Sequence, residues 1–127
     1  MKIYGADQVT PGGVLPLSSA VEAQGLIFFS GQLAPRDPKA AGDIEAQTHL
    51  IFDQLEQKLA AAGLSLDNVV KATVWLTDPT HFAGFNAVYG KRFSAPYPAR
   101  SCVVSDLVLP GALLEIEILA ARTPRSA

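Results

Sequence analysis

The chain has 127 residues, 49% hydrophobic and 17% charged, which excludes a disordered polymer, since such chains are rich in charge and poor in apolar residues. No stretch approaches the ~18 consecutive apolar residues of a membrane-spanning helix. The formal net charge is −2, the densest basic patch is only Lys91-Arg92, and a phosphate-backbone binder carries clustered Lys and Arg instead. Neither a nucleic acid nor a membrane is therefore expected as a main partner.

The opening segment, from Val9 to Leu17, is rich in Pro and Gly and reads as a lead-in with turns. Ser19 to Ala23 and Leu26 to Ser30 are predicted strands joined at Gly25, a hairpin whose second strand is short and aromatic-rich. Residues 34–42 read as a loop. A helix follows, because Ile44, Thr48, Ile51, Leu55, Leu59 and Ala62 recur at three- and four-residue steps. Asp43 is placed to cap it and Gly63 to end it.

The segment Val69 to Thr77 alternates as a strand, with Val70, Ala72, Val74 and Leu76 on one face and Lys71, Thr73, Trp75 and Thr77 on the other. Asp78 and Pro79 then start a second helix, whose apolar stripe is Phe82, Phe85, Tyr89 and Phe93. Pro96 and Pro98 end its range. Strands at Arg100 to Val104 and Leu113 to Ala121 close the chain. The order β-β-α-β-α-β-β, as one domain over residues 1–127, predicts an α+β sandwich with two helices on one face of a single sheet. The other sheet face is left uncovered, and the high apolar share suggests that a second copy covers it.

Few residues offer chemistry. The lone Cys102 and the distant His49 and His81 form neither a disulfide nor a zinc pattern. The two histidines read as solvated, Cys102 as a small buried residue and Trp75 as packing. No GxGxxG, Walker, HExxH or GxSxG motif is present. The N-terminus lacks the apolar core of a signal peptide, so a cytosolic protein is the default.

Arg100 and Cys102 share one strand face, as do Glu115 and Glu117. If these strands are antiparallel neighbours, an arginine, a thiol and a carboxylate meet in one pocket. The arginine fork suits a substrate carboxylate, and a desolvated glutamate suits acid–base work. An arginine and a glutamate on adjacent strands are nevertheless more often a cross-strand ion pair.

Five segments in this order resemble the RidA (YjgF/YER057c/UK114) family: Ser30-Gly31-Gln32, Val70 to Asp78, Phe85 to Tyr89, Pro98 to Val103 and Gly111 to Glu117. Each is weak alone. The resemblance covers nearly the whole chain, from about Pro16 to Ala121. The resemblance implies homotrimers of chorismate-mutase-like fold, with three sheets around a central barrel-like core and active sites in the clefts between subunits. It implies hydrolysis of reactive 2-imino acids or enamines, such as 2-iminobutanoate and 2-iminopropanoate, to 2-keto acids and ammonia, without metal or organic cofactor.

By position, Arg100 matches the residue that grips the substrate carboxylate. Glu115 matches the one that, with the backbone at Cys102, positions the attacking water. Ser30, Gly31, Asn86 and Cys102 match the pocket lining. Leu17, after Pro16, stands where the best-studied branch has a tyrosine, so this part of the pocket is expected to be more apolar. The segment between Phe93 and Pro98 is short for that branch. Other members of the family suggest two competing readings, a non-enzymatic small-molecule-binding or chaperone-like protein and an endoribonuclease; the lack of a basic groove weighs against the latter.

Overall fold

Burial follows the alternation in the 69–77 segment, and the rest of the sheet is organised around it. The structure is a computed structural model and describes residues 1–6 and 8–127. In chain order the elements are strands β1 (Lys2–Tyr4), β2 (Gln8–Thr10), β3 (Gly13–Leu15), β4 (Ala20–Ala23), β5 (Leu26–Phe29) and β6 (Gln32–Leu33), helix α1 (Ile44–Ala61), strand β7 (Val69–Leu76), helix α2 (Phe82–Arg92) and strands β8 (Ala99–Val104) and β9 (Leu114–Ala121).

One sheet has the order β1-β4-β5-β9-β7-β8, with β6 also paired to β9. β9 is antiparallel to both β5 and β7, and β8 is parallel to β7. A parallel neighbour needs a crossover, here α2. Both helices lie on one face, giving the mixed α+β architecture that the element order predicts.

The helix-side core joins Ala72, Val74 and Leu76 of β7, Leu114, Ile116 and Ile118 of β9, and Ile51, Phe52, Leu55 and Leu59 of α1. From α2 come Phe85, Val88 and Tyr89. Phe52, Tyr89 and Phe93 stack together, with ring centroids 4.8–6.0 Å apart, a spacing at which aromatic pairs attract. Asp43 caps α1 by accepting from the Ala46 amide. Its far end closes with Gly63 at φ +76°, where the Gly63 and Leu64 amides donate to the carbonyls of Ala60 and Leu59. That is a Schellman motif.

Five local expectations change. Val69, not Val70, is the buried residue at the start of β7, because a bulge between Val69 and Lys71 shifts the register there. The N-terminal segment holds β1, paired with β4, and a separate β2–β3 hairpin; three-residue strands are too short to show an alternation. The 34–42 loop contains a 3-10 turn at Pro38–Ala40, capped by Asp37. Asp78 and Pro79 start a 3-10 turn, Pro79–His81, that leads into α2. Phe82, at the start of the predicted stripe, is 42% exposed.

Among the described residues the opposite sheet face carries no helix. Ile3, Leu26, Phe28 and Val103 are exposed on it, and strand pairing places Leu119 beside Phe28 and Trp75 beside Val103. No helix is long and apolar enough to cross a membrane among the described residues.

Candidate active site

Arg100 lies on β8, at the edge of the sheet. It pairs with Ala72, and Cys102 with Val74. Directly paired residues share a face, so both side chains point to the helix side. There the helical spacing of α2 presents Phe82, Phe85, Asn86 and Tyr89. Arg100 Nη1 donates to Asn86 Oδ1 at 2.7 Å. The guanidinium carbon stands 4.7 Å from the Tyr89 ring and 5.7 Å from the rings of Phe82 and Phe85. Aromatic faces attract a cation without using its N–H groups.

Among the described residues no carboxylate pairs with Arg100. The remaining donors of its fork are available to a ligand anion. A cavity of about 420 Å³ adjoins it, lined by Asn86, Tyr89, Gly90, Tyr97, Pro98 and Arg100.

Burial pushes the Cys102 thiol up from its ordinary value, and the positive charge of Arg100 opposes this only in part. The thiol is therefore protonated at neutral pH and is no activated nucleophile. Tyr89 is 4% exposed, and among the described residues its hydroxyl has no hydrogen-bond partner. Burial raises its pKa against the charges of Arg100 and Arg125.

Glu115 belongs to a second cluster, on the face away from the helices. It pairs with Trp75 of β7 and Leu33 of β6, and Glu117 shares its face. Burial, and then the like charge of Glu117, push its carboxyl above the ordinary range. Gly31 sits against it: a Cβ there would lie 2.2 Å from Glu115 Oε2, so the carboxylate takes the space of a side chain. Beside Gly31, Ser30 Oγ donates to the Ser18 carbonyl at 2.6 Å and ties down the segment after Leu17, which is 38% exposed.

The expected single pocket does not form within one chain. β7 lies between β8 and β9, β8 is parallel, and Arg100 and Glu115 occupy opposite faces. The cross-strand ion pair fails for the same reason. The structure gathers Arg100, Asn86 and Cys102 at one edge and Gly31, Ser30 and Glu115 on the uncovered face. Reading the sequence missed the aromatic cradle of Arg100 and the wall formed by Tyr97. The signal was the placement of Phe82, Phe85 and Tyr89 around Asn86, which also fits an ordinary core stripe. Among the described residues no three metal-ligating side chains cluster.

The family model described as endoribonuclease L-PSP matches residues 8–122. The chain belongs to this family, the RidA/YjgF proteins. It is 39% identical over 114 residues to a RutC family protein of Pyrococcus horikoshii, covering 87% of this chain and 90% of that one. It is 35% identical over 121 residues to TdcF of Escherichia coli, provisionally named a reactive intermediate deaminase, covering 91% of this chain and 94% of that one. The crystal structure of RidA from an Antarctic Psychrobacter species matches with a TM-score of 0.80 at 34% identity, covering 95% of this chain and 99% of that one. This RidA-family chain thus has a general RidA-type function.

Proposed function

We propose that the protein hydrolyses reactive 2-imino acids and their enamine tautomers to 2-keto acids and ammonia, in clefts between the subunits of a homotrimer. The observation that carries this reading is the division of the site. Arg100, with donors to spare, lies on an edge strand. Glu115 and Gly31 lie on the sheet face that neither helix covers. Packing that face on the β8 edge of a second copy brings a carboxylate anchor and a general base to one substrate.

The chemistry then needs few groups. The Arg100 fork holds the substrate carboxylate through two parallel hydrogen bonds, with Asn86 holding the fork. This places the carbon of the N-protonated C=N group beside a water oriented by Glu115 and the Cys102 backbone. Glu115 takes a proton as the water oxygen bonds to that carbon, giving a carbinolamine. The proton passes to the nitrogen, the C–N bond breaks, and the departing ammonia takes the hydroxyl proton. Ammonium and a 2-keto acid leave. No covalent enzyme intermediate is required.

The test is keto acid release while an amino-acid oxidase or threonine dehydratase supplies the imine. Acceleration by the wild type supports the reading. No acceleration with several imino acids overturns the enzymatic assignment and leaves small-molecule binding as the reading. Arg100→Ala is expected to lower kcat/KM roughly 100-fold, as truncating one partner of a buried charged pair does. Unchanged turnover would show that the anchor lies elsewhere.

A further inference from the structure

Arg125 lies in the tail beyond β9, with a side chain only 9% exposed. Its Nε donates to the Pro96 carbonyl at 2.6 Å and Nη2 to the Ser94 carbonyl at 3.1 Å. Nη1 donates to the carbonyls of Leu66 at 2.7 Å and Val69 at 2.6 Å. The guanidinium stands 5.5 Å from the Phe93 ring, and the backbone amide of Arg125 donates to the Asp67 carbonyl at 2.8 Å. One planar fork thus joins the tail, the start of β7 and the turn between α2 and β8. Lysine, a point charge without the fork, cannot reproduce that set.

The turn matters because of what it carries. Tyr97 follows the clamped Pro96 carbonyl, is 54% exposed, and with Pro98 walls the cavity beside Arg100. The prolines on either side of Tyr97 fix their own φ angles. Beyond its join to β8 at Ala99, the turn is anchored by Arg125, which holds two of its carbonyls. We propose that Arg125 is a positioning residue: it holds Tyr97 as the outer wall of the Arg100 cavity and so limits which substrate side chains fit there.

The substrate part of this proposal rests on the imino-acid reading. Arg125→Ala is expected to raise KM for the imine of alanine about fivefold, with kcat falling no more than about threefold. The preference for that imine over the imine of leucine should drop about fivefold. Tyr97→Ala should change the preference in the same sense. Adding Arg125→Ala to Tyr97→Ala should change it no further, since the clamp acts through Tyr97. Arg125→Lys should recover part of the loss. An unaltered preference in Arg125→Ala, or additive effects in the double variant, would overturn the proposal; if Arg125→Ala does not fold, Arg125→Gln takes its place in the same cycle.

A readout that needs no turnover separates the two readings. The chain has three tyrosines, so 3-fluorotyrosine labelling gives a small fluorine spectrum, with Tyr97 assigned from Tyr97→Phe. Narrowing of the Tyr97 resonance in Arg125→Ala, with Tyr4 unchanged, supports the clamp. A Tyr97 line identical to the wild type sinks it. A wild type that turns over no imino acid removes the substrate reading, while the fluorine result still decides on the clamp.

Discussion

Arg100 is a charge held by ring faces and one amide oxygen, and that economy leaves most of its fork free for a ligand. Its counterpart, Glu115, is kept by burial and by Glu117 above the ordinary carboxylate range. The sign of the resulting pH dependence follows. If Glu115 is the proposed base it must be ionised, so activity would fall as pH drops through the raised pKa. The acid limb of kcat/KM should lie above the ordinary value of 4.5. Glu115→Gln should remove this limb along with most of the rate. Because the raised pKa means that folding disfavours the charge, stability is lost as pH rises through it. Glu115→Gln should therefore melt no lower than the wild type at neutral pH, and a lower Tm would show that the charge is structural. Gly31→Ala tests the same corner from the other side. Its Cβ must displace Glu115 Oε2, the end of a flexible side chain. Turnover should fall about tenfold while stability changes by less than about 1 kcal/mol, read from steady-state kinetics beside a denaturant titration.

At the scale of elements, α1 is tied to the loops around it by Gln47, buried at 5% exposure. Its side-chain amide donates to the carbonyls of Ala40 and Gly111 and accepts from the Leu113 amide. A polar residue on the helical stripe looks like a defect in the pattern, yet it is fully used. Gln47→Ala should cost about 1–3 kcal/mol, the range for stranding buried polar groups, measured by urea unfolding; a change near zero would mean that water replaces the amide. The two helices, the caps of α1 and the long strands were legible because each writes its own period and end signal within a few residues. The short strands β1, β2, β3 and β6 were not, since two or three residues cannot display alternation. The bulge that turns Val69 inward was equally silent, because register is a property of two strands and not of one.

For the whole molecule, the decisive feature is a sheet with one dressed face. Phe28, Ile3 and Val103 are about half exposed on the bare side, beside Leu119 and Trp75. Exposed apolar patches of this kind mark association surfaces. A homotrimer built on this face predicts that Phe28→Asp yields smaller species by light scattering and loses turnover, although Phe28 lies in the other cluster from Arg100. A variant that stays trimeric and active would place the interface elsewhere.

By itself, the sequence determined the two helices, the long strands, the family and the identity of Arg100, Asn86, Gly31 and Glu115 as candidates. Helix periods, caps and an ordered motif set are local or linear properties, and local signals survive without coordinates. Only the tertiary structure decided that β7 separates β8 from β9. The reason is that sheet order depends on crossovers over α1 and α2, which no strand records in its own residues. That order places Arg100 and Glu115 on opposite faces. It separates the two clusters within one chain, and under the proposed function a second copy brings them together.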